Sequence, residues 1–296
     1  FSEAMADAPV VKIALSGAAT LTATEMSRQS ATEYRYSYTV PSANGTQTVA
    51  LSVGTDVAGN AITSAPSSGA DFVIDSTAPS AFDVGTVITS GGTVVAGKLN
   101  GTNTTVTVTV PIADDATLNG GTVQLQAKVG EGAYINLGGT SAISAVNANK
   151  AIAYAESDLD GIAGFAEGVV LTFRAIITDT AGTSTTGTAS TTTLTVDQVA
   201  PTVTEQAVVS TPSNNTTPQA TIGSNEAGTI TSSLTLTGDT AAEASNTNVV
   251  SFATLGAGTY TPTVTVTDAA GNAGTKTLTS FVIDTTAPSA FDVGTV

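Results

Sequence analysis

The side chains able to do chemistry in this chain are carboxylates, and they gather at turns and strand ends. They occur as Ser2-Glu3-Ala4, Thr55-Asp56-Val-Ala-Gly-Asn60, Asp75, Asp83, Asp114-Asp115, Asp179, Asp197, Asn225-Glu226-Ala227, Thr267-Asp268-Ala-Ala-Gly-Asn272, Asp284 and Asp292. Calcium takes about six to eight oxygens from carboxylates, carbonyls and water. A Glu at a strand end, an Asp in a turn and an Asp in the outgoing linker are therefore expected to converge at one end of a β-domain. Glu226, Asp268 and Asp284 form one such set, and Glu3, Asp56 and Asp75 another. In a third, Asp114 or Asp115 replaces the Glu beside Asp179 and Asp197, while Asp83 and Asp292 are placed to contribute from just past a joint. Without a cation such sets repel; a bound Ca²⁺ turns the repulsion into a cross-link. The competing reading is that each Asp accepts N–H bonds within its own turn.

A separate acidic loop, Glu156-Ser157-Asp-Leu-Asp-Gly161, opens like an EF-hand loop. It lacks the later ligands and flanking helices of that motif and reads as solvated.

Composition removes most other chemistry. Cys and His are both absent, which excludes thiolate and Ser-His-Asp catalysis and cysteine- or histidine-ligated metals. The net charge of −16, from 8 basic and 24 acidic residues, opposes nucleic-acid binding. At 41% hydrophobic and 11% charged residues the chain is not of the disordered class. No apolar run approaches the roughly 18 residues of a membrane span. Paired carboxylates occur in glycosidases, but these sit in repeated joints with no aromatic sugar platform, so no enzymatic activity is expected.

The elements that must position the acids are strands. β-branched and aromatic runs, divided by Gly, Asn, Asp and Pro, predict antiparallel sandwiches. The stretch Phe72–Val87 returns 209 residues later as Phe281–Val296 with one Ser/Thr change, and Val196–Val203 is a looser third copy. Each copy closes one β-domain and opens the next, giving domains 1–78, 79–200 and 201–287, with 288–296 as the first strand of a further repeat. The first domain reads as lacking its opening strand, and Phe1 as an internal point of a longer chain. Tyr34–Val40 alternates as a strand, followed by an Asn44-Gly45 hairpin turn. Tyr260 is either a tyrosine-corner residue or a plain packed one. Asn44, Asn100, Asn103 and Asn215 head Asn-x-Thr triplets, which arise by chance in a Thr-rich chain.

At Ser2-Glu3-Ala4 and Glu226-Ala-Gly228, at Thr55–Asn60 and Thr267–Asn272, and at the Asp-x-Thr-Ala-Pro junctions Asp75–Pro79 and Asp284–Pro288, the chain resembles bacterial Ig-like repeat domains of large cell-surface adhesins. The middle domain fits more loosely, with Thr178–Thr183 and Asp197–Pro201 in the corresponding places. The resemblance implies export to the cell surface, tandem β-sandwiches in an elongated array, neighbouring repeats or identical subunits as partners, and calcium at the domain junctions. The expected function is a calcium-stiffened extracellular stalk or fibre supporting adhesion. The alternative is a self-assembling surface-layer, sheath or filament subunit, with residues 289–296 donated as a strand to another copy.

Overall fold

The computed structural model describes residues 1–63, 65–245, 247–292 and 294. The protein is all-β, built of mainly antiparallel sheets in tandem units. Among the described residues, helix is confined to the turn Ala116–Leu118 and the single-turn helix Ser157–Asp160, which occupies the acidic loop.

The first domain is a four-stranded sheet in the order Leu21–Glu25, Lys12–Gly17, Asn44–Ser52, Asp71–Asp75. Among the described residues its buried apolar side chains are few: Met5, Val11, Leu15 and Ile74. Fully buried Gln47 is satisfied by accepting from the Ala19 N–H and donating to the Ser16 and Ala19 carbonyls. Two expectations fail here. Only Tyr34–Arg35 of the tyrosine run is strand, paired with Ser27–Arg28. Asn44-Gly45 lies inside the strand Asn44–Ser52 instead of in a hairpin turn. The cause is shared: beyond Arg35 the tyrosine run pairs with no strand among the described residues, so it forms no hairpin, and Asn44 instead bonds the linker at Ser76 and Thr77.

The second domain packs a three-stranded sheet (Ala148–Ala155, Thr105–Ile112, Val87–Ser90) on a larger one. The larger sheet runs Ile135–Asn136, Thr122–Val129, Val170–Thr178, Leu194–Asp197, Lys98–Asn100. Strict alternation in Thr105–Ile112 and Thr122–Val129 sends one face of each inward. The buried core runs from Val84 to Val196 and is drawn wholly from this domain, so residues 79–200 hold a complete core of their own. Leu194–Asp197 pairs with Lys98–Asn100 in parallel, in a register that sets Asp197 opposite Asn100.

The third domain stacks the sheet Val203–Ala207, Gln219–Ser224, Asn248–Phe252, Leu236–Thr237 on the sheet Ala241–Ala242, Gly228–Ser232, Thr263–Thr267, Ala273–Thr277. The ribbon Gly258–Tyr260/Phe281–Ile283 closes it. Phe252, Phe281 and Tyr260 form its aromatic centre. The Tyr260 hydroxyl donates to the Gly256 carbonyl four residues upstream, as a tyrosine corner requires. Of the strand expected at 288–296, residues 288–292 show no strand, and positions 293, 295 and 296 lie outside the described residues.

Candidate metal centre at a domain joint

Three carboxylates meet where the second domain hands over to the third. Oxygens of Asp197, Glu226 and Asp268 all lie within 4.8 Å of one another, half-buried. Two oxygens on opposite sides of one Ca²⁺ stand about 4.8 Å apart, so the three fit a single ion. The donors are hard oxygens, which favours calcium over transition metals.

Each acid is placed by its local fold. Asp197 ends the parallel ladder that sets it opposite Asn100. Glu226 follows the strand Gln219–Ser224 in a bend held by mutual bonds between Ser224 and Glu226. Asp268 opens the turn after Thr263–Thr267, its Oδ1 accepting from the Ala270 and Asn272 N–H groups. Asn272, 2% exposed, ties the acids together. Its Nδ2 donates to the Asp197 carbonyl at 2.8 Å and to Asp268 Oδ2 at 2.9 Å, and its Oδ1 accepts from the Gly101 N–H at 2.9 Å. Asn100 Nδ2 donates across the joint to the Ala270 carbonyl.

Two glycines permit this approach. Gly271, at φ +94°, faces Thr93, where a Cβ would come within 2.8 Å of the methyl; a Cβ at Gly274 would lie 1.7 Å from the Pro201 carbonyl oxygen.

Electrostatics mark the same place. The Asp197 carboxyl is raised above its ordinary value by burial and by Asp268 and Glu167, against a lowering from Lys98. Glu226 is raised by burial, Asp197, Asp268 and Glu167, against a lowering from Asn225. A carboxyl raised on folding binds more protons folded than unfolded, so its stabilising protonation fades as pH rises through the folded pKa. In chelator, the joint is therefore expected to melt at a higher temperature just above the ordinary carboxylate range (about pH 5) than at pH 7. Calcium, which binds the deprotonated form, should reverse that order. Melts at the two pH values with and without calcium check it.

The outgoing linkers do not join these sets, and this corrects the expected grouping. Asp75 pairs with Asn44 at the start of Asn44–Ser52, whereas Asp56 lies beyond its far end. Nine residues at about 3.3 Å each separate the two ends by roughly 30 Å. Asp284 likewise follows Ile283, opposite Gly258, while Asp268 follows Thr267 at the other end. In the second domain Asp179 and Asp197 also sit at opposite ends, because Val170 pairs with Thr195 and Thr178 with Thr122. The linker acid that joins a site is the incoming one.

At the joint between the first and second domains the analogous acids are nearby but form no triad among the described residues. Asp75 and Asp115 line a 380 Å³ cleft together with Asn44, Thr77 and Thr117. Asp115 caps the turn Ala116–Leu118, and Asp179 accepts from the Ala181 and Thr183 N–H groups. Thr183 stands where the third domain has Asn272, and its hydroxyl reaches the Thr77 carbonyl at 3.0 Å. One hydroxyl cannot make the several bonds of an amide. Asp114 is exposed, Asp83 bridges to Thr188 within the second domain, and Glu3, Asp284 and Asp292 are exposed. Asp75 and Asp284 each accept an N–H two residues on, as in Asx turns. Asn60 and backbone N–H groups hold the Asp56 carboxyl below its ordinary value against a small opposing effect of burial.

Four participants were missed in the sequence. Asn100 and Asn272 carried a signal only as parts of repeated motifs. Glu167 accepts from the Gln198 N–H and Glu156 from its side-chain amide, so both grip the linker; Glu167 lies in no motif, and the Glu156 loop was read only as solvated. Asn100 and Asn103 are buried, which removes them as glycan acceptors in the folded chain.

The second and third domains are thus tandem β-sandwiches of two packed sheets, joined beside an acidic cluster. Residues 209–285 match the family described as the bacterial Ig-like domain, the family type that the motifs suggested. No curated protein matches the sequence. Among solved structures, the chain is similar to a Salmonella alpha-2-macroglobulin mutant at 10% identity and TM-score 0.25, covering 95% of this chain and 21% of that one. A Bacteroides ovatus mixed-linkage glucan utilization locus protein, solved with a mixed-linkage heptasaccharide, aligns at 15% identity and TM-score 0.21, covering 93% and 60%. The chain thus spans less than two thirds of either protein's length.

Proposed function

We propose that the chain is a non-enzymatic structural segment of a bacterial surface protein, a stalk or fibre of tandem sandwiches stiffened by calcium at its joints. The observation that carries this reading is the meeting of Asp197, from one domain, with Glu226 and Asp268 of the next, within 4.8 Å. Asp197, Glu226 and Asp268 would hold the ion, which supplies positive charge where three acids converge. Glu167 adds further negative field, and Asn272 orients Asp197 and Asp268 without competing for the ion. The absence of His and Cys supports a role without catalysis. Extracellular placement is part of the same reading, since extracellular modules bind calcium at roughly 10⁻⁴–10⁻³ M and suit a calcium-rich exterior.

Calcium at about 5 mM, against a Kd near 10⁻⁴ M, is expected to stabilise the joint by about 2 kcal/mol. Calorimetry should show the gain, and Asp197→Asn should remove most of it. X-ray scattering should show a narrower distribution of shapes in calcium. A melting temperature and maximum dimension that ignore both calcium and chelator would defeat the reading.

A further inference from the structure

Three Asn-Gly pairs occur in the chain: Asn44-Gly45, Asn100-Gly101 and Asn119-Gly120. Asparagine is a chemically labile residue, most of all before glycine, whose missing side chain lets the next amide nitrogen reach the carboxamide. The second pair stands in the joint between the second and third domains, and the joint needs both of its residues. Asn100, fully buried, donates through Nδ2 to the Thr93 carbonyl at 2.8 Å and across the joint to the Ala270 carbonyl at 2.7 Å. Its Oδ1 accepts from the Thr102 N–H and hydroxyl. Gly101 passes so near the linker that a Cβ there would lie 2.6 Å from the Gln198 carbonyl oxygen, and its N–H donates to Asn272 Oδ1 at 2.9 Å. The bonds require an amide and the close approach requires a glycine. A labile pair is thus a condition of closing the joint.

The other two glycines are held inside their own domains. Gly45 lies in the strand Asn44–Ser52, opposite Ile74 of the neighbouring strand. Asn119 and Gly120 are exposed, and the Gly120 N–H donates to the Ile143 carbonyl at 2.9 Å within the second domain. At Asn100-Gly101 the groups that cyclisation uses, the Gly101 N–H and the Asn100 amide, are held from another domain, by Asn272 and Ala270. Opening the joint frees the nucleophile, loosens the amide and admits water. Closing it withdraws all three.

We propose that Asn100 is a modification site gated by this joint: closure preserves the asparagine, opening exposes it to deamidation, and the product keeps the joint open. In the reaction the Gly101 nitrogen bonds to Asn100 Cγ, the Cγ–Nδ2 bond breaks, and ammonia leaves with the Gly101 proton. Water then opens the succinimide at either carbonyl, giving aspartate or isoaspartate without any oxidant or reductant. The new carboxylate lacks the N–H donors that faced the Thr93 and Ala270 carbonyls. It also adds negative charge opposite Asp197, where three acids already converge. Isoaspartate further lengthens the main chain before Gly101. Either product opposes closure, so a joint forced open is marked permanently. The inference rests on the hydrogen bonds of the joint and goes beyond the calcium reading.

The test ages the full chain in warm, mildly alkaline buffer with chelator, as wild type, Asn272→Ala and Gly271→Val, and reads conversion by mass spectrometry. Lys98 and Lys128 bound one tryptic peptide that holds both Asn100 and Asn119, so fragment ions compare the joint with a reference site in the same molecule. Losing two or more hydrogen bonds of the joint should speed conversion at Asn100 at least about ten-fold and leave Asn119 unchanged. Gly271→Val, which drives a side chain into Thr93 while keeping Asn272, should do the same. Equal Asn100 rates in wild type and either variant, or parallel acceleration at Asn119, overturns the proposal. Asn100→Asp, one of the two products, should preserve the second domain's own melting transition while uncoupling it from the third's, with a broadened scattering profile. A joint that still closes in Asn100→Asp overturns the self-locking step. Because every arm is run in chelator, a chain whose stability ignores calcium defeats the calcium reading alone.

Discussion

Replacing Phe281 by alanine is expected to destabilise the third domain by about 3–5 kcal/mol, whereas the same change at Phe72 should cost less than about 1 kcal/mol. The two residues head stretches that are identical but for one Ser/Thr change. Phe281 is 1% exposed, its ring centroid 6.1 Å from that of Phe252 and 5.7 Å from that of Tyr260. Removing it leaves a cavity between two sheets that are each held by their own ladders and cannot collapse freely. Phe72 is 36% exposed, on the edge strand of a sheet backed by few buried apolar residues. Denaturant unfolding followed by domain-specific probes measures both losses. Equal losses would mean that the first domain closes over Phe72 in solution as the third closes over Phe281.

The second large effect is expected at Asn272. Asn272→Ala deletes the bonds to Asp197, Asp268 and Gly101 and leaves the Gly101 N–H and the Asp197 carbonyl without that partner in a part-buried contact. A net hydrogen bond is worth about 0.5–1.5 kcal/mol, so with three lost the joint should lose about 2–4 kcal/mol. The second and third domains should then melt independently, and the scattering profile should broaden even in calcium. Asn272→Thr should fall between wild type and alanine, because the joint before it already works with Thr183 in that place. A single cooperative transition surviving in Asn272→Ala would show that packing around Thr93 and Gly271, not the amide, fixes the joint.

These two sites also show how far the residues alone could be followed. The all-β class, the tandem order and the acidic turns were legible because each depends on local pattern. Buried and half-buried residues alternate along most of Thr122–Val129, and Thr-Asp-x-Ala-Gly-Asn forms a turn at both places where it occurs. Tyr34–Val40 shows the limit: it alternates as well as any strand, yet beyond Arg35 it has no strand partner among the described residues.

The sequence by itself determined that the carboxylates lie in turns, at strand ends and beside the Ala-Pro stretches. Only the tertiary structure decided which of them meet. Asp75 and Asp56 belong to one domain, but a nine-residue strand holds them at its opposite ends. Asp197 and Asp268 belong to different domains and share a site, because a parallel ladder and one asparagine bring them together. A strand carries the chain about 3.3 Å per residue. The end at which an acid finally lies therefore depends on the number and direction of crossings, which no local pattern records.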